Sequence, residues 1–171
     1  ERGEEWLLKN VHEVRRADTV AIYNVWAHSY AIQALVDMHQ RTSAPERQKR
    51  IKDVIATQVD RLKRYESVDG GWGYYDFSVG SQKPAAVTTS FTTATVLYAL
   101  HDLTRIGIEP PTNLVQRGTK MVNLQRKPDH TYLYSFDHKY RPMWEINRKG
   151  GSLGRSHACN IALRVWGDKT I

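Results

Sequence analysis

The sequence predicts an all-α domain of 171 residues built from a repeated pair of helices, one buried on both sides and one on a single side. Three observations predict it. Helical apolar periodicity recurs along most of the chain, alternating between segments whose apolar residues cover more than one face and segments with a single stripe. Three Ala-Leu pairs, Ala34-Leu35, Ala99-Leu100 and Ala162-Leu163, fall in the doubly apolar segments at spacings of 65 and 63 residues. Aromatic-rich loops beginning at Asp69 and Asp129, 60 residues apart, follow the one-sided segments. A unit of two helices and a turn cannot bury its faces alone, so this near-constant spacing implies units stacked into two layers.

Residues from about 3 to 15 read as a short helix carrying Trp6, Leu7, Val11 and Val14, interrupted by Arg15-Arg16-Ala17-Asp18-Thr19. The second helix, from about Ile22 to Met38, spreads Ile22, Val25, Trp26, Tyr30, Ile32, Leu35 and Val36 over more than one face and belongs inside. Ser43-Ala44-Pro45-Glu46 has the spacing of a capping box, with Ser43 as N-cap and Pro45 in the first turn. It opens a third helix to about Tyr65 that is apolar on one side only and belongs outside. Asp69-Gly70-Gly71 then reverses the chain through residues that tolerate positive φ. Trp72, Tyr74 and Tyr75 supply more apolar area than an exposed loop carries, so they are expected to pack onto adjacent helices. A carbohydrate platform is the other reading of these rings.

After a long connection through Gly80, Ser81 and Pro84, Thr88 or Thr89 caps a fourth helix, Ser90 to Ile106, whose apolar residues again make it an inner one. Gly107 stops it, Pro110-Pro111 turns the chain, and Thr112 caps a fifth, one-sided outer helix that Pro128 ends. Asp129-His130-Thr131-Tyr132-Leu133-Tyr134 reads as a second copy of the Gly-Trp loop. A long loop leads to Gly150-Gly151, and the last helical pattern runs from Arg155 to Trp166. Any strand is confined to short hairpins in the aromatic loops, at 70–80 and 130–145.

A composition of 40% hydrophobic and 25% charged residues is that of a globular chain, here a single domain over residues 1–171. Its start at Glu1 and its end shortly after a helical pattern suggest an arc of a larger helical assembly, whose apolar edge the remainder of the polypeptide or a protein partner covers. No apolar stretch approaches the roughly 18 to 20 residues of a membrane span, so no transmembrane segment is expected. The acidic opening Glu1-Arg2-Gly3-Glu4-Glu5 is not a signal peptide, and the compartment stays open. The single cysteine, Cys159, excludes an internal disulfide framework and a multi-cysteine zinc site.

The net charge of +7 raises nucleic acid as a partner. The placement of the cations argues against it, because Arg47, Lys49, Arg50, Lys52, Arg61, Lys63 and Arg64 share the one-sided third helix and form its wet face. Arg148, Lys149 and Arg155, which flank a glycine pair, are the candidate anion-contacting cluster.

Three stretches carry a family resemblance: Arg2-Gly3-Glu4-Glu5-Trp6-Leu7, then Gln58 with Gly71-Trp72, then Arg117-Gly118 with Gln125 and Tyr132. They resemble the glutamine-tryptophan repeats of the terpenoid cyclase and protein prenyltransferase superfamily, in degenerate form. The resemblance implies an α/α toroid, here a partial α/α barrel of inner and outer helix hairpins, whose central cavity in the enzymes holds an isoprenoid. Aromatic walls in such cyclases stabilise carbocations by cation–π attraction. The family's acidic Asp-x-Asp-Asp motif and its Asp-x-Cys zinc element have no counterpart in this chain, so no catalytic residue is assigned.

On this reading the aromatic residues on or beside the inner helices, Tyr23, Trp26, Tyr30, Phe91 and Tyr98, together with His101, form the candidate substrate-binding set. Each is also a candidate for ordinary core packing, and His28 and His101 for structural histidines with hydrogen-bonded rings. No cofactor is expected. Cys159, beside Ala158, Ile161 and Ala162, reads as a small buried hydrophobe rather than a zinc ligand with His157. The expected function is a squalene-cyclase-like or prenyltransferase-like toroid domain that binds an isoprenoid or other apolar substrate, with catalysis open. Two alternatives are a non-catalytic repeat scaffold binding protein or glycan through its loops, and a carbohydrate-active toroid using carboxylates among Asp69, Asp76, Asp129 and Asp137.

Overall fold

The structure, a computed structural model, describes residues 2–13, 24–73 and 87–170. Among them lie the helices α1 (Arg2–Asn10), α2 (Asn24–Arg41), α3 (Pro45–Tyr65), α4 (Ser90–Asp102), α5 (Thr112–Leu124) and α6 (Lys149–Val165). Their packing follows the predicted alternation from α2 to α5. By contrast α6, expected to be buried on more than one side, buries a single stripe of Ser152, Ser156, Cys159, Ala162 and Leu163, because α4 covers only that face. α2 lies against both α3 and α4, and α4 lies in turn against α5 and α6. On α4 only Phe91, Thr95, Tyr98 and His101, a single stripe at helical spacing, escape full burial, as an inner helix with neighbours on most sides requires. α3 and α5 bury one side each, through Ile51, Ile55, Val59 and Leu62 and through Leu114, Gly118, Met121 and Val122.

Two apolar clusters fill the spaces between these helices. Ile32, Leu35, Ile51, Ile55, Leu62, Leu100 and Leu103 join α2, α3 and α4, extended by the short 3-10 turn Leu103–Ile106 after α4. Leu97, Val122, Tyr132, Cys159 and Leu163 join α4, α5 and α6. α1 is fastened to α3 by ion pairs from Glu4 and Glu5 to Arg47 and from Glu5 to Arg50. No helix of the described residues is long and apolar enough to cross a membrane.

The two aromatic loops are copies in their backbone as well as their sequence. Ser67 N donates to Gly71 O and Gly70 N to Ser67 O; sixty residues on, Lys127 N donates to Thr131 O and His130 N to Lys127 O. Gly70 at φ 96° is matched by His130 at φ 59°, a left-handed position that here carries a side chain. Each loop ends on a fully buried ring. The indole N–H of Trp72 donates to Leu62 O at 2.8 Å, and the Tyr132 hydroxyl meets Asn160 Oδ1 at 2.8 Å. Arg117, from the Arg-Gly pair of α5, clamps the first loop by donating to Glu66 Oε1 and to the carbonyls of Ser67 and Val68.

Several boundaries differ from the sequence reading. Ser43 is not the N-cap of α3: Ala44 takes that place, with Pro45 at the first helical position and no side-chain capping bond. Proline's fixed φ suits the first turn, so it sets the start of the helix and leaves Ser43 one residue too early. Thr112 likewise lies inside α5, with Pro111 as N-cap, whereas Thr89 does precede α4 as expected. Trp72, buried completely, is no carbohydrate platform. The aromatic loops form isolated bridges, Thr89 to Ser135 and Arg126 to Tyr132, and no strand among the described residues. The predicted residues Val14, Ile22, Tyr74, Tyr75 and the connection through Pro84 lie outside the described residues.

The largest shift is at α6, which begins at Lys149 rather than near Arg155, so that Gly150 and Gly151 belong to its first turn. Gly151 is a packing residue: a Cβ there would lie 2.5 Å from Glu145 O and 2.9 Å from Ile146 Cα. These are backbone atoms that cannot rotate away. Gly151→Ala is expected to destabilise the chain by about 1 to 3 kcal/mol despite alanine's better helix propensity. Urea denaturation showing equal or higher stability would mean that the 145–146 segment yields freely.

Candidate functional site

The incompletely buried stripe of α4 faces a groove that α2 and α6 flank. Tyr30 and Gln33 of α2, Ala94, Thr95 and Tyr98 of α4, and Ala158 and Ile161 of α6 line it, enclosing about 260 Å³. At the offsets that relate the three Ala-Leu pairs, Gln33, Tyr98 and Ile161 are equivalent positions, and so are Tyr30, Thr95 and Ala158. The groove is thus one surface repeated three times. Its large side chains are exposed: Tyr30 by 58%, Tyr98 by 38% and Ile161 by 53%. Its polar groups are two phenols, an amide and a hydroxyl, a set suited to orienting a ligand rather than to moving protons at neutral pH.

The predicted site residues divide into three groups. Tyr30 and Tyr98 line the groove. Trp26 and Phe91 instead start a row of rings: Trp26 to Phe91 at 5.8 Å, Phe91 to Tyr134 at 5.2 Å, Tyr134 to His138 at 5.6 Å and His138 to Trp144 at 5.2 Å between centroids. His101 sits at the far end of the stripe, edge-on to Trp166 at 5.5 Å. Tyr23 lies outside the described residues. Sequence reading missed Ala94, beside Thr95 on α4, and also Gln33, Thr95, Ala158 and Ile161. The signal of these last four was present, since each stands three residues from another lining residue on its own helix or at the repeat offset from one.

The titratable candidates lie elsewhere. His28 is fully buried, its Nδ1 2.7 Å from Gln58 Oε1 and its ring stacked on Tyr65, so it belongs to the α2–α3 contact. Burial lowers its pKa to about 4, leaving it neutral at physiological pH. Cys159 is fully buried against α4, and burial pushes its thiol up to about 12, the state of an inert core thiol. Asp129 is engaged by its own turn, accepting from Thr131 N and Thr131 Oγ1, and the Ser135 hydroxyl donates to Asp137. Asp76 lies outside the described residues.

The candidate anion cluster is also divided. Arg155 is a brace: its guanidinium donates to the carbonyls of Tyr132, Ile146 and Gly151, and burial lowers its pKa. Arg148 donates to Met143 O at 3.0 Å. Lys149 keeps its ammonium group without an ion pair among the described residues. Comparison with protein-family models, with curated proteins and with solved structures finds no match.

Proposed function

We propose that the chain is an arc of a cyclase-like or prenyltransferase-like α/α toroid and that it holds an isoprenoid or other apolar ligand against the α2–α4–α6 groove. The observation that carries the reading is the convergence of Tyr30, Tyr98 and Ile161, exposed and at repeat-related positions, on one hollow. Large apolar side chains gathered on a concave surface gain free energy only when something covers them, at roughly 25 cal/mol per Å² of apolar area. A volume of about 260 Å³ falls just below the range of roughly 300 to 1,000 Å³ in which ligand pockets lie, so the groove serves as one wall of a larger site. The remainder of the polypeptide or a protein partner supplies the opposite wall. The chemistry of the lining supports binding and assigns no catalytic group.

Titrating the chain with a fluorescent isoprenoid alcohol tests this. Saturable binding is expected, weakened about tenfold or more by Ile161→Asp or Tyr98→Asp, a loss of about 1.4 kcal/mol or more. Absence of binding, or binding indifferent to both substitutions, would remove the groove as the ligand site. Binding of an oligosaccharide instead would favour the scaffold reading.

A further inference from the structure

The segment between α5 and α6 displays apolar side chains on a rigid base. Tyr140 is exposed by 79%, Met143 by 72% and Trp144 by 46%, with Ile146 exposed beside them. Exposure of this kind commonly reflects a loose loop, but the backbone here is held from below. Asn147, fully buried, accepts from Tyr134 N at 2.9 Å and donates to Arg141 O at 2.9 Å, while its own carbonyl accepts from Lys127 Nζ at 2.7 Å. Arg155 holds the carbonyl of Ile146, and Arg148 that of Met143. Gly151 lets the first turn of α6 press directly on residues 145 and 146. The exposed side chains therefore project from a frame whose backbone is hydrogen-bonded at several points.

Cations surround them. Lys139 lies over the Phe136 and Tyr140 rings at 3.9 and 5.0 Å, and Arg141 over Trp144 at 4.4 Å. Lys139, Arg141, Arg148 and Lys149 make no ion pair with a carboxylate among the described residues. Between α5 and α6 the acids Asp129, Asp137 and Glu145 stand against Arg126, Lys127, Lys139, Arg141 and Arg148, so the balance is positive.

We propose that this face docks on an anionic lipid surface. Tyrosine and tryptophan are the side chains that settle at the headgroup level, with an apolar body and a polar edge. Methionine and isoleucine gain from the acyl boundary below, and lysine and arginine from the negative surface potential above. A nucleic acid would use the cations and the two rings but would offer nothing to Met143 and Ile146. The proposal is independent of the groove, which lies on other residues.

Sedimentation with vesicles tests it. The chain is expected to pellet with phosphatidylcholine vesicles containing about 30% phosphatidylserine and to stay in the supernatant with phosphatidylcholine alone. Raising the salt from about 0.1 to about 1 M shortens the screening length from about 10 to about 3 Å and should release it. Lys139→Gln combined with Lys149→Gln is expected to weaken partitioning by about twenty-fivefold, at roughly fivefold per surface cation. Met143→Ser combined with Trp144→Ser should weaken it by about tenfold, with an unchanged circular-dichroism spectrum showing that the fold persists. No binding to the anionic vesicles, binding indifferent to the Met143 and Trp144 changes, or tighter binding to duplex nucleic acid than to vesicles would each overturn the proposal.

Discussion

Trp72→Ala is expected to destabilise the chain by about 3 to 5 kcal/mol, a large share of the roughly 5 to 15 kcal/mol that holds a typical domain folded. The indole is completely buried where the first aromatic loop meets α3, α4 and α5. Its ring edge sits so close to α5 that a Cβ on Gly118 would come within 3.1 Å of it. Its N–H donates to Leu62 O, in the last turn of α3, where helix carbonyls lack partners of their own. Its backbone is fixed to α4 as well, Trp72 N donating to Thr93 Oγ1 and Trp72 O accepting from Thr89 N. Truncation therefore opens a cavity at the junction of three helices and leaves a buried carbonyl unpaired. In a thermal melt the midpoint should fall by roughly 10 °C. Trp72→Phe, which keeps most of the volume and loses the hydrogen bond, should cost about 1 to 3 kcal/mol. An unchanged midpoint for the alanine variant would show that the loop does not tie the layers together.

Acidification from about pH 6.5 to about pH 4 is expected to remove about 3 kcal/mol of stability through His28 alone. In the folded chain burial keeps this imidazole neutral down to about pH 4, whereas the unfolded chain protonates it near 6.5. Between those values the unfolded state binds the extra proton, so stability falls as pH falls and levels off once the folded form is protonated too. Urea midpoints measured across this window should decline with falling pH. His28→Asn, which stays neutral and retains an amide for Gln58, should flatten the decline. The carboxylates held low by their partners, Glu5 beside Arg50, Asp129 in its Thr131 turn and Asp168 with Thr170, act in a lower window, below their ordinary values of 4.5 and 3.8. They begin to act only toward the acid end of the window, and His39, whose pKa burial also lowers, adds to the decline in the same direction as His28. A His28→Asn variant with the same pH dependence as the parent would locate the acid sensitivity elsewhere.

The helical order was readable because its signals are local. Burial on most sides of α4 and on one side of α3 follows from side-chain spacing along each helix, and the stop at Gly107, which adopts φ 70°, follows from the freedom of a residue without a Cβ. The second loop was harder to recognise, because His130 takes a left-handed position filled by glycine in the first and Tyr132 replaces tryptophan. Two of its backbone hydrogen bonds nevertheless repeat those of the first loop at the same offset of 60 residues. Two of the seven residues lining the groove, Tyr30 and Tyr98, were visible as aromatic residues on inner helices. The other five, Gln33, Ala94, Thr95, Ala158 and Ile161, were hidden because an amide, a hydroxyl and small or aliphatic side chains carry no composition signal of a site.

By itself the sequence determined which segments are helical, which of α2 to α5 bury most sides and which bury one, and where the two loops turn; for α6 it overstated the burial. Periodicity and backbone freedom act over a few residues, so no distant contact is needed to read them. Only the tertiary structure decided which aromatic side chains are spent in packing and which stay open. Trp26 and Phe91 differ from Tyr30 and Tyr98 in their neighbours on other helices, and nothing in their spacing separates the pairs. The same holds for Gly150-Gly151, which a local reading places at the end of a long loop before the last helix. Residues 145 and 146 press against the start of α6 so closely that only a residue without a side chain fits at Gly151, so the glycine serves that approach rather than a turn.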